Sequence, residues 1–132
     1  PRIVDEENLF KVSEVLPSIE NIRNTEFDNI TGIEKGDLVY FDPPYHPLTE
    51  TSSFTSYSGS FGVEEQMRLR DYFKSLDEKG INVILSNSSS PFIREIYKDF
   101  DIVEVFCSRN INSKSDKRGK IPEYLIVGNN FR

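Results

Sequence analysis

Leu38-Val-Tyr-Phe-Asp-Pro-Pro-Tyr45 joins a short apolar run to a carboxylate, two prolines and an aromatic ring. Val39 and the aromatics beside it predict a strand over 38–41, of the kind covered on both faces in a parallel sheet. Pro43 and Pro44 remove two backbone donors and restrict their own and neighbouring conformations, so the strand should end in a stiff turn with the carbonyls of Asp42 and Pro43 free to face outward. Ligands of open parallel sheets bind beyond the carboxyl ends of the strands, and Asp42 falls at such an end.

Downstream, residues 46–62 form a Ser-, Thr- and Gly-rich connection, long enough to be either functional or disordered. From Val63 to Lys79, Leu69, Tyr72, Phe73 and Leu76 make one helical stripe. Glu64 and Glu65 fall in its first turn, and Gly80 lies just past its end. Ile81–Leu85 is again a buried-strand run, ending in Ser86-Asn87. Ser88–Ser90 supply caps for a helix that begins near Pro91 and points Ile93, Ile96 and Tyr97 one way. Residues 102–107 and 124–127 read as two more strands. Upstream, Leu9, Val12 and Leu16 follow a capping Asp5 and are stopped by Pro17, which predicts a short amphipathic helix over 6–16; 19–24 is a weak strand candidate. Strands alternating with helices predict an α/β layer fold with a mainly parallel sheet and helices on both faces. No internal repeat is present.

The 132 residues suit one domain. Position 1 is proline, which raises the expectation that the sequence begins inside a longer product. A single cysteine, Cys107, permits no internal disulfide and is expected in the core. No apolar run approaches the roughly 20 residues of a spanning helix, so a soluble, cytoplasmic protein with no membrane partner is expected. The net charge of −6 repels polyanions overall. One segment differs: Arg109, Lys114, Lys117, Arg118 and Lys120 oppose only Asp116, and a nucleic-acid contact belongs there.

Asp42, the Pro43 carbonyl and Tyr45 together offer two acceptors and a flat platform. That set suits a planar group carrying an NH2, the acceptors taking its two hydrogens and the ring stacking on the tyrosine. On a nucleobase such an amine is a poor nucleophile, because its lone pair is delocalised. Accepting both hydrogens favours a pyramidal nitrogen, and the carboxylate stabilises the positive charge that develops during methyl transfer. The same four residues also make an ordinary strand-ending turn, in which Asp and Pro are common. His46 has no evident partner in the sequence and receives no chemistry.

Beyond the tetrad, the chain carries Pro47-Leu-Thr-Glu-Thr-Ser-Ser-Phe-Thr-Ser-Tyr57, Phe61, Gln66, Leu69, Ser86-Asn87, Tyr97, Arg109-Asn-Ile-Asn-Ser113, Lys117-Arg118 and Glu123-Tyr-Leu-Ile126. In these segments, and in their order from about residue 20 to the end, it resembles the Dam family of DNA adenine-N6 methyltransferases, with a Rossmann-like fold. The resemblance implies that Asp42 and the Pro43 carbonyl hold the target adenine N6 and that Tyr45 stacks on the base once it is flipped out of duplex DNA. It implies S-adenosylmethionine as donor, with Asp42 near its methionine part. The family segment equivalent to 25–27 commonly carries Asp-Phe against the cofactor adenine; here Glu26 precedes Phe27. Thr51, Ser53, Thr55 and Tyr57 correspond to a loop that orders around the extruded nucleotide, and Arg109, Asn112, Lys114, Lys117 and Arg118 to a backbone-contacting loop. Hydroxyls and charges in these two segments also suit a merely solvated surface.

The family's glycine loop for the methionine moiety and its DNA-reading segment have no counterpart among the seven glycines of this chain. The expectation is therefore a carboxy-terminal catalytic portion of a bacterial or phage enzyme, inactive alone. Four strands should stay together, the last antiparallel to its neighbours, with a bare sheet edge open to the missing amino-terminal half or to a second copy. Two alternatives stay open. The chain is a remnant or weak DNA-binding module that binds no cofactor, or its acceptor is a cytosine N4 or glutamine N5 amine, whose enzymes use related tetrads that more often begin with Ser or Asn.

Overall fold

A computed structural model describes residues 4–48, 61–108 and 120–131. The chain divides into two compact units, Pro1–Ile30 and Thr31–Arg132. In the first, helix α1 spans Glu6–Val15, and Asp5 caps it by accepting from the Asn8 amide at 3.2 Å. Pro17 diverts the chain into a 3-10 turn over Leu16–Ser18. The helix is as the spacing predicts, yet none of its residues is buried. Residues 19–24 form no strand, which corrects the expectation for that segment. A strand exists only by pairing, and no described strand pairs with this one.

The second unit holds a four-stranded sheet in the order β1-β2-β4-β3, with β1 Leu38–Phe41, β2 Asn82–Ser88, β3 Asp101–Ser108 and β4 Lys120–Val127. β1 pairs in parallel with β2, Phe41 facing Leu85. β4 runs antiparallel to both neighbours, Ile126 facing Leu85 on β2 and Ile102 on β3. The expected reversal of the last strand is present. Because β4 is inserted between β2 and β3, however, one of the three ladders among the described residues is parallel, and the described sheet is mixed rather than mainly parallel. β1 forms one edge.

Helix α2, Val63–Glu78, and helix α3, Pro91–Ile96, complete the layer. Gly80 takes φ +81°, the left-handed conformation that ends α2 beyond Lys79. Ser90 accepts from the Ile93 amide at the start of α3, with Pro91 in its first turn. Val83, Leu85, Tyr124 and Ile126 share one sheet face by register and are buried with Leu69, Phe73 and Leu76 of α2 and Ile93 of α3. Phe73 is fully buried, its ring 4.9 Å from Phe100, 5.5 Å from Tyr97 and 6.3 Å from Phe41. Phe73→Ala should therefore cost about 3–5 kcal/mol, read as a lowered urea midpoint of the 132-residue chain at unchanged slope.

The opposite sheet face departs from expectation. Within this unit both helices serve the first face, while Leu38 and Tyr40 of β1 and Val103 and Val105 of β3 stay exposed on the second. Apolar character in β1 signals a buried strand, but an edge strand has one lateral neighbour and here one covered face, so only Phe41 is buried.

Candidate functional site

The tetrad lies where its sequence predicts, at the carboxyl ends of the parallel pair β1 and β2. Parallel pairing brings the end of β2 beside Asp42, and the Ser86 hydroxyl donates to Asp42 Oδ1 at 2.8 Å. Ser86 is itself buried, so one carboxylate oxygen is fixed from below while the side chain stays exposed to solvent.

Two buried amides hold the turn beyond Asp42. Gln66, one turn into α2, and Asn87, near the end of β2, are both fully buried. Gln66 Nε2 donates to the Pro44 carbonyl at 2.8 Å, and Gln66 Oε1 accepts from Asn87 Nδ2 at 3.1 Å. Asn87 Oδ1 in turn accepts from the backbone amides of His46 (3.0 Å) and Ser88 (2.8 Å). The peptides on either side of Tyr45 are thus tied to a single side-chain bridge between α2 and β2.

Tyr45 is half-buried, and its hydroxyl donates to Glu123 Oε2 of β4 at 3.4 Å. Burial raises the Tyr45 pKa; contact with the Ser86 hydroxyl opposes this, and the carboxylates of Glu123 and Asp42 add to it. The phenol therefore stays neutral through the physiological range and remains a donor. His46 stacks on Phe92 of α3, with ring centroids 4.6 Å apart at 29°. Burial lowers its pKa against an opposing contact with the Pro47 backbone, which keeps the imidazole neutral at neutral pH. His46 Nδ1 and Ser88 Oγ are buried with no hydrogen-bond partner among the described residues. Their backbone amides share the Asn87 acceptor.

The remaining expected site residues are placed unevenly. Glu26 and Phe27 open a 3-10 turn, Phe27–Asn29, in the first unit, with Phe27 half-buried and Glu26 exposed. Thr51, Ser53, Thr55, Tyr57, Arg109, Asn112, Lys114, Lys117 and Arg118 lie outside the described residues. Sequence reasoning assigned no role to Gln66, Asn87 or His46. One local signal existed: Gln66 stands on the same helical stripe as Leu69, Phe73 and Leu76, and an amide at a core-facing position has to find partners.

Among the described residues no helix is long and apolar enough to cross a membrane. Comparison with known proteins matches residues 1–111 to the family model of D12 class N6 adenine-specific DNA methyltransferases. Over 96% of its length the chain is 49% identical to a type II methyltransferase, M1.LlaDCHI, of Lactococcus lactis subsp. cremoris, of which it covers 46%. It is 41% identical to the type II methyltransferase M.MjaIII of Methanocaldococcus jannaschii, covering 45% of that protein, and 35% identical to a DNA adenine methylase of Escherichia coli K12, covering 36%. The chain thus spans about half the length, or less, of these relatives. With the tetrad held at the strand end and the family model extending over most of the chain, it belongs to the D12 class of N6 adenine-specific DNA methyltransferases.

Proposed function

We propose that this chain is the carboxy-terminal catalytic portion of a site-specific DNA methyltransferase that methylates adenine N6 in duplex DNA. The observation that carries the proposal is the Ser86-held carboxylate of Asp42 beside a Tyr45 fixed at both flanking peptides. Asp42 and the Pro43 carbonyl accept the two N6 hydrogens of an extruded adenine, and Tyr45 supports its ring. Pinning one Asp42 oxygen on Ser86 leaves the other to meet the amine and to receive the proton that N6 loses. A neutral Tyr45 suits stacking on an uncharged base. The family relationship favours adenine over a cytosine or glutamine acceptor.

S-adenosylmethionine, when bound, supplies an electrophilic methyl group and departs as the thioether. The described residues fit part of such a donor. Asp42, at the end of β1, suits the donor's ammonium. Within a Rossmann-like methyltransferase fold, the remaining contacts belong to the part of the relatives' length that this chain does not cover. Thr51, Ser53, Thr55 and Tyr57 would meet the phosphates around the extruded nucleotide, and Arg109, Asn112, Lys114, Lys117 and Arg118 the DNA backbone.

The test compares the 132-residue chain alone with the same chain joined to the amino-terminal half of the Lactococcus lactis relative. Each is incubated with duplex DNA and methyl-labelled donor, and the DNA is hydrolysed and scored for N6-methyladenine. The joined protein should produce it and the chain alone should not. A joined protein that binds donor and DNA yet labels no adenine would overturn the proposal, and so would label found on cytosine.

A further inference from the structure

We propose that Gln66 and Asn87 are positioning residues for methyl transfer, a buried amide bridge that sets the height and tilt of Tyr45 and of the Pro43-Pro44 carbonyl run beneath the target base. The inference rests on the methyltransferase function proposed above.

The bridge has no other evident task. Gln66 stands on the stripe of α2 that otherwise packs Leu69, Phe73 and Leu76 into the core, and an apolar residue there would avoid the cost of burying an amide. Both of its described side-chain hydrogen bonds leave its own helix, to Pro44 and Asn87. Asn87 commits its oxygen to the His46 amide and its nitrogen to Gln66. Neither side chain touches Asp42 or the Tyr45 ring by a hydrogen bond. Both act through the backbone on each side of Tyr45, where proline has already removed the local donors that would stabilise a turn.

The orientation of the Gln66 amide is dictated by its partners. The Pro44 carbonyl accepts only, so nitrogen must face it, and Asn87 Nδ2 donates only, so oxygen must face that. A carboxylate at position 66 satisfies Asn87 and opposes Pro44 with a second acceptor. Protonated, the same side chain donates to Pro44 and restores the bridge. Burial raises the pKa of such a carboxyl, which brings the switch into an accessible range.

The experiment uses Q66E and Q66L in the joined protein, with single-turnover methylation as the rate measurement and His46 amide hydrogen exchange in the 132-residue chain as the structural one. Q66L should slow single-turnover methylation by about a hundredfold, the effect of a small misplacement at the reacting centre, while KM for DNA and donor stays within about threefold. Q66E should recover towards the unsubstituted rate as pH falls from about 8 to about 5.5, and Q66L should show no such recovery relative to the unsubstituted protein. In both variants at about pH 8, His46 exchange should quicken by about tenfold. A pH-independent Q66E defect, or Q66L with undiminished rate, would overturn the positioning role. If the unsubstituted joined protein methylates no adenine, the function fails instead, and unchanged His46 exchange would then sink the bridge on its own terms. Should Q66L fail to fold, the pH response of Q66E decides.

Discussion

Asp42→Ala in the joined protein should lower the single-turnover rate of adenine methylation by about two to three orders of magnitude, the usual scale for removing one group aimed at developing charge. The size follows from what the side chain does in the transition state. As the N6–methyl bond forms, positive charge grows on nitrogen, and a carboxylate in contact with it gains more there than in the ground state. Asp42 is exposed at the rim of the site, and its one described side-chain partner is Ser86. Removing the carboxyl therefore leaves a buried hydroxyl that retains the Phe41 carbonyl at 3.5 Å as an alternative acceptor, so folding should change little. Asp42→Asn keeps an acceptor at Oδ1 and loses the charge, and it should retain more activity than the alanine variant. Ser86→Ala frees Asp42 to rotate and should cost about tenfold, the scale of a single hydrogen bond of about 1.4 kcal/mol. Rates are compared under conditions where both substrates saturate, with flipping followed by a fluorescent adenine analogue at the target. An alanine variant that flips the base and methylates it at the unsubstituted rate would remove Asp42 from the chemistry.

The tetrad was legible because its message is local: an apolar run, an acid, two prolines and a ring specify a strand end and a stiff turn without reference to the rest of the chain. The caps at Asp5 and Ser90 and the stop at Gly80 were legible for the same reason. Long-range partners carry no such local mark. His46 looked solitary, yet its ring stacks on Phe92 and its amide reaches Asn87, 41 residues away. β1 looked like a strand buried on both faces, because its composition records what the strand is suited to meet, whereas exposure depends on which neighbours are present. The candidate strand over 19–24 failed on the same point. The insertion of β4 between β2 and β3 is likewise a property of the assembled sheet; the reversal of that strand came from family resemblance, not from its residues.

A polar clasp beyond the last strand should also contribute strongly to folding. Asp77 lies in the final turn of α2, where the helix macrodipole disfavours a negative charge, yet it is 9% exposed and accepts three hydrogen bonds from the chain terminus. Its Oδ1 takes the Asn129 amide at 2.7 Å and Asn130 Nδ2 at 3.0 Å, and its Oδ2 takes Asn129 Nδ2 at 2.9 Å. Asn130 Nδ2 also reaches the carbonyls of Asp77 (2.7 Å) and Ile81 (3.1 Å). The chain passes this point only at Gly128, where a Cβ would come within 2.5 Å of Val83 Cγ2 and 2.6 Å of Asp77 Oδ1. Hydrogen bonds to a charged group contribute about 1.5–3 kcal/mol each and are not additive within one network, so Asp77→Ala should cost about 3 kcal/mol. Gly128→Ala should cost about as much, since overpacking of 1–3 kcal/mol also pushes the Asp77 carboxylate off its donors. Both effects should appear as lowered urea midpoints of the 132-residue chain, and the double variant should lose less than the two single losses together. Unfolding free energies within about 0.5 kcal/mol of the unsubstituted chain would show that the clasp fastens nothing; strictly additive losses would show that Gly128 and Asp77 act through separate contacts.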